Sequence, residues 1–155
     1  MILIAHRGNI NGRCPEKENC PEYIDEAIAA GFDVEIDVWC FGGNLYLGHD
    51  APTYCVCIDA ILERKERLWC HAKNIDALAV LLKNDIHVFS HDTDQVVLTS
   101  KLYMWVYPGC PLIEGCIAVM PERAAYSRTE LLQCAGVCSD FPKDIQELVE
   151  VCRDT

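Results

Sequence analysis

A chain of 155 residues carrying 13 Lys and Arg against 24 Asp and Glu, formally −11 at neutral pH, excludes general affinity for nucleic acid or anionic lipid, because phosphate surfaces are held by clustered cations. Half of the residues are hydrophobic and a quarter charged, the composition of a folded chain, and at this length one domain over 1–155 buries about 68–70% of the surface its unfolded form exposes. No run of 18 apolar residues occurs, and Met1 leads straight into Ile2–Ala5 with no basic start or cleavage site, so the expectation is a cytoplasmic protein without membrane insertion.

In chain order, Ile2 to Ala5 reads as a strand ending at His6-Arg7-Gly8, followed by a polar loop from Asn9 to Cys20. Cys20-Pro21 opens a helix whose apolar face is Tyr23, Ile24, Ala27 and Ile28, and Gly31 stops it. The next strand, Phe32 to Val38, is the most informative stretch. Successive side chains point to opposite faces, so Val34, Ile36 and Val38 share one face and the carboxylates Glu35 and Asp37 share the other. A solvated acidic face is the alternative for that pair.

A Gly42-Gly43-Asn44 turn leads into the strand Leu45 to Leu47, which delivers Gly48-His49-Asp50. Asp59 to Arg67 is a predicted short helix, and Leu68 to Lys73 a strand with Trp69, His71 and Lys73 on one face. Asn74 caps a helix with Ile75, Leu78, Ala79 and Leu82 at the 3.6-residue period. Strand-like runs follow at Ile86–Ser90, Val96–Thr99, Tyr103–Tyr107 and Cys116–Met120. Ser127-Arg-Thr-Glu130 fits a capping box, Val137–Asp140 is a last strand, and Ile145, Leu148, Val149 and Cys152 form the stripe of a closing helix. Eleven cysteines without a Cys-x-x-Cys pair fit reduced core thiols better than a disulfide framework or a zinc site.

Eight main strands, alternating with helices in the first half, predict an α/β fold: a compact (β/α)8 TIM-type barrel with several outer helices shortened or missing, a partial barrel being the alternative. In such a barrel His6, Arg7, Glu35, Asp37, His49, His71 and Lys73 converge at one mouth. Paired carboxylates suit a divalent cation, histidines suit proton transfer near neutrality, and arginine suits bidentate contact with phosphate. Together these point to metal-assisted cleavage of a small-molecule phosphodiester. A structural, hydrogen-bonded histidine is the alternative at each position taken singly.

Five pieces, His6-Arg-Gly8, Glu18-Asn19, Gly31-Phe-Asp-Val-Glu-Ile-Asp37, Gly48-His-Asp50 and Val137-Cys-Ser-Asp-Phe-Pro142, give the chain a resemblance to the glycerophosphodiester phosphodiesterases and the wider phosphatidylinositol-phosphodiesterase-like barrels. The resemblance implies that His6 and His49 are the general acid/base pair, that Arg7 and Lys73 attend the phosphate, that Trp105 lines the pocket, and that Glu35 and Asp37 hold a divalent metal such as Mg²⁺ or Ca²⁺. It also implies attack by a substrate hydroxyl, a cyclic phosphate, and its opening by water. As a core tryptophan, Trp105 has an equally simple explanation.

The chain departs from that pattern where the third strand reads His71-Ala-Lys73 in place of the family's Glu-x-Lys. Either His71 is the third ligand and the preference moves towards Mn²⁺ or Zn²⁺, or Glu122 or Asp50 completes the shell. Loss of that carboxylate also keeps open a non-catalytic phosphate-binding protein. A lyase of the sphingomyelinase D type, releasing a cyclic phosphate, shares the paired histidines. Asp92 and Asp94 would favour a cationic or hydroxyl-rich leaving group or form a solvated turn, and the sequence leaves the oligomeric state open.

Overall fold

The structure is a computed structural model that describes residues 1–150; Cys152, expected on the last helix, lies outside the described residues. In chain order the elements are β1 (Ile2–His6), α1 (Pro21–Ala29), β2 (Asp33–Phe41), β3 (Asn44–Leu47), β4 (Tyr54–Val56), α2 (Ile58–Leu62), β5 (Leu68–Ala72), α3 (Ile75–Lys83), β6 (Val88–Phe89), β7 (Val96–Leu98), β8 (Met104–Val106), β9 (Ile117–Val119), α4 (Arg128–Leu132), β10 (Gly136–Ser139) and α5 (Pro142–Glu150).

β2, with its strict alternation of Val and Ile against acids, is the hub. β5 runs parallel along one edge, from Val34↔Leu68 to Val38↔Ala72. The other edge is shared: β1 pairs parallel with Asp33 to Glu35, and β3 pairs antiparallel with Val38 to Phe41. Beyond β5 the ladder continues through a side chain, since Asn74 accepts from Cys40 N at 3.2 Å and donates to Cys40 O at 2.8 Å. The same Asn74 accepts from Ala77 N at 3.0 Å and so caps α3, as its position before the apolar period predicts.

The expected (β/α)8 barrel is overturned. Among the described residues, ten strands form one mixed, curled half-barrel sheet with five short α-helices. Its order is β6-β5-β2-β1-β10-β9-β8-β7, with β3 and β4 as an antiparallel flank on β2. β7 is antiparallel to β8, and among the described residues no ladder joins β7 to β6; that side is spanned by bonds from Ser100 N to Val88 O, 2.8 Å, and from Val88 N to Ser100 Oγ, 3.0 Å, with His87 Nε2 2.8 Å from Thr99 Oγ1. The physical reason is chain length between strands. A helical crossover needs a dozen or more residues, and segments 90–95, 99–103 and 107–116 are too short to supply one. β6 has only two residues, too few to propagate pairing on its outer edge.

The pleat sorts the core. Outward-facing Val34, Ile36, Val38, Cys70 and Val88 pack with Ile24, Ala27, Ala77 and Leu81 of α1 and α3. Inside the curl, Ile4, Trp69, Phe89, Trp105, Ile117, Val119 and Cys138 make a second apolar cluster. That inner cluster forms the floor on which polar residues of the same strand faces stand, because His6, Glu35 and Trp69 share one register level and Asp37, His71 and Phe89 the next. Ten cysteines are free among the described residues, six of them buried, and none of the described helices is long and apolar enough to cross a membrane.

Candidate functional site

The chain must turn sharply as it leaves β1. Arg7 adopts a left-handed backbone (φ 54°) and Gly8 φ 90°, where a Cβ would sit 2.9 Å from the Tyr23 ring. This turn sends the Arg7 side chain back over β2. Where β1 has ended and β3 has not begun, the backbone of Asp37 would lack partners. The Asn19 amide oxygen accepts from Asp37 N at 2.8 Å, and Gly48 N donates to Asp37 O at 3.2 Å. Asn19 and Gly48 thus stand in for a strand at the point where the acidic face becomes a site.

Asp37 is fully buried. Its Oδ1 lies 3.0 Å from His71 Nδ1 and 3.6 Å from Lys73 Nζ. Its Oδ2 accepts from Asn19 Nδ2 at 3.0 Å and lies 3.0 Å from Arg7 Nε, an ion pair off the hydrogen-bonding direction. Burial alone would raise the Asp37 pKa, but the His71 hydrogen bond and the charges of Arg7, His71 and Lys73 outweigh it and hold the group far below the usual carboxylate range. Glu35 has the opposite balance. Burial, then the neighbouring Asp37 charge, raise its pKa, and its Oε2 is buried without a hydrogen-bond partner, 3.9 Å from His6 Nε2.

Two histidines are aimed by carboxylates. His6 Nδ1 lies 2.7 Å from Asp140 Oδ1, which also accepts from Asn9 Nδ2 at 2.8 Å. An ionised Asp140 accepts a hydrogen bond from His6 Nδ1–H and leaves His6 Nε2 facing Glu35. Asp140 stays ionised because the His6 hydrogen bond and charge, with Asn9 and Arg123, outweigh the burial that would raise it. His49 Nδ1 lies 2.7 Å from Asp50 Oδ1 in the same manner, and partial burial, then the Arg7 charge, lower its pKa.

These groups border one cavity of about 310 Å³, walled by His6, Arg7, Glu35, His49 and His71 on the polar side and by Phe89, Trp105 and Val119 on the apolar side. Glu35, Asp37 and His71 each offer a ligand atom within 4.8 Å of the other two, all buried. The orphaned Glu35 Oε2 fits a cation; Asp37, already paired with Arg7 and Lys73 and bonded to His71, would have to release one of these partners. Neither alternative third ligand joins this cluster. Glu122 accepts from Ser139 Oγ at 3.0 Å and Asp140 N at 2.9 Å, fixing the end of β10, and Asp50 is a solvent-exposed partner of His49. Lys73 stays behind Asp37 near the Trp39 ring, away from the cavity wall. Trp105 is on the wall but only 2% exposed, packed on Trp69 and Phe89, so it serves the core as well as the cavity.

Sequence reasoning missed four polar wall residues, Arg13, His91, Tyr107 and Arg123. His91 stacks on His71, ring centroids 4.6 Å apart, and meets Tyr107 at 4.4 Å. Burial, then the charges of His71 and Lys73, bring its pKa down to about 4, so it is neutral at pH 7. Burial also pushes the Tyr107 phenol up and keeps it protonated. The period-2 step from Phe89 to His91 was a signal that could have found this histidine. No family model, curated protein or solved structure matches this chain.

Proposed function

We propose that this cavity cleaves a small phosphodiester with the help of a divalent cation. The observation that carries the proposal is that His6 and His49, each held at Nδ1 by a carboxylate, border one cavity together with Arg7 and the buried Glu35. Holding Nδ1 leaves Nε2 as the working atom of both rings. One takes the proton from the attacking hydroxyl or water while the other gives a proton to the departing alkoxide. Arg7 is fixed by Glu18 through Nη1 at 3.1 Å and by Asp37 through Nε, which directs its remaining N–H groups at a phosphoryl oxygen. A cation held by Glu35, Asp37 and His71 would supply charge stabilisation at the phosphoryl oxygens, and one imidazole among the donors favours Mn²⁺ or Zn²⁺ over Mg²⁺ or Ca²⁺. Support comes from the site and the motifs that resemble glycerophosphodiester phosphodiesterases; the half-barrel adds none, since that family has a closed barrel.

The test is hydrolysis of bis(4-nitrophenyl) phosphate with Mg²⁺, Ca²⁺, Mn²⁺ or Zn²⁺. His6→Ala and His49→Ala are each expected to lose at least about a hundredfold in turnover, the scale of a lost acid or base. Wild-type rates in both variants would end the assignment. Phosphorus NMR of the products separates hydrolysis from release of a cyclic phosphate.

A second reading, binding without turnover, is favoured by Asp37, whose charge Arg7 and Lys73 already balance and whose Oδ1 lies 3.0 Å from His71 Nδ1. Thermal stabilisation by inorganic phosphate with no product under any of the four metals would select it.

A further inference from the structure

Three guanidinium groups, Arg7, Arg13 and Arg123, border the cavity against a single carboxylate, Glu35, in a chain whose acids outnumber its Lys and Arg by 24 to 13. On the cavity wall itself guanidinium groups therefore outnumber carboxylates, against the trend of the whole molecule. Arg7 is 12% exposed and committed to the interior. Arg13 and Arg123 stand at the rim with side chains 58% and 57% exposed.

Both rim arginines lie beside carboxylates that also bond another side chain of the site. Arg13 Nε donates to Glu18 Oε1 at 3.2 Å, while Oε2 of the same Glu18 accepts from Arg7 at 3.1 Å. Arg123 Nη2 lies 4.0 Å from Asp140 Oδ2, while Oδ1 of the same Asp140 holds His6 at 2.7 Å. Each of these carboxylates has a second partner, Arg7 for Glu18 and His6 for Asp140, so neither rim arginine has a carboxylate to itself. The loop bearing Arg13 is also bonded to the segment that holds Arg123, since Gly12 N donates to Asp140 O at 2.8 Å. Asp140 thus anchors both neighbourhoods, the Arg13 loop through its backbone and Arg123 through its side chain.

A phosphodiester carries one negative charge, which Arg7 and the histidines can meet. We infer that the ligand carries a second anionic group, a phosphomonoester or a carboxylate, received at the rim by Arg13 and Arg123. The inference rests on the phosphodiester reading of the site and narrows it: a quaternary ammonium group, which would face two guanidiniums there, is disfavoured. Arginine forks match both carboxylate and phosphate in two-point geometry.

Calorimetric titration of the full chain with ethyl phosphate, 2-carboxyethyl phosphate, 2-phosphonoethyl phosphate and choline phosphate tests it without requiring turnover. At least one of the two compounds with a second anion is expected to bind about tenfold or more tightly than ethyl phosphate, with choline phosphate the weakest. Which of the two is preferred tells carboxylate from phosphate. The preference is expected to shrink to less than about threefold in R13Q/R123Q and to survive in R13K/R123K, with thermal midpoints checking that each variant is folded. Equal affinity of wild type for ethyl phosphate and both compounds that carry a second anionic group overturns the inference, whatever the variants do. The 4-nitrophenyl diesters of the same alcohols separate this failure from that of the catalytic reading. Turnover without preference removes the rim subsite and keeps the phosphodiesterase; preference in binding without turnover keeps the subsite and removes the catalysis.

Discussion

Asn19 shows how much of the site depends on a residue that takes no part in chemistry. It is fully buried, in a left-handed backbone conformation (φ 63°) that Asn tolerates better than most residues. Its side chain bonds both the backbone N and the carboxylate of Asp37, and its own N–H donates to Arg7 O at 3.1 Å. Asn19→Ala would leave a buried N–H unpaired and place a non-polar Cβ residue at positive φ. A loss of about 2–4 kcal/mol in urea unfolding is expected, and a change below about 0.5 kcal/mol would show that water replaces the amide. At this scale the sequence was legible wherever alternation operates. Glu35 and Asp37 follow from the pleat of β2, and His71 from that of β5. Arg13 and Arg123 sit in a loop and a 3₁₀ turn, where no periodicity says which way a side chain faces.

Among the elements, the short link between β3 and β4 has least freedom. Gly48 adopts φ 143°, and a Cβ there would meet Ala51 O at 2.2 Å, an impossible contact with backbone. Gly48→Ala must move the loop that presents His49, so turnover is expected to drop about tenfold or more while the ladder of β2 with β5, and with it the far-ultraviolet circular dichroism, is kept. Wild-type turnover in that variant would show that His49 does not need its present position. The eight main strand-like runs all contain strands, yet their joining was misread. Apolar alternation marks a strand from a few residues, whereas its partners depend on what lies between: Val96–Leu98 and Met104–Val106 are separated by a tight turn and pair antiparallel, which a barrel of parallel strands forbids.

For the molecule as a whole, pH dependence of stability has an identifiable source in His87. It is 4% exposed, lies against Trp69 with ring centroids 4.2 Å apart, and its Nε2 is 2.8 Å from Thr99 Oγ1. Burial, then the Lys101 charge, lower its pKa from 6.5 to about 4. Between these values the unfolded chain binds a proton that the folded chain refuses, so stability is complete above pH 6.5, falls as pH drops, and levels off below about 4. The full effect is roughly 3 kcal/mol at 1.36 kcal/mol per pKa unit. Because acid also relieves self-repulsion in a chain of charge −11, the readout is the difference between wild type and His87→Gln in denaturant midpoints across that window. Parallel curves for the two proteins would contradict the assignment.

β1 lies between β2 and β10, so its His6 is aimed by a carboxylate 134 residues further along the chain. This adjacency sets an order in time. The β2, β3 and β5 ladders join segments close in sequence and can form early, whereas the pairing of β1 with β10 closes the longest loop in the sheet and comes late. The ladder that brings Glu35, Asp37 and His71 together is therefore expected to form first, and the site to be completed only when the last strand docks and brings Asp140 to His6.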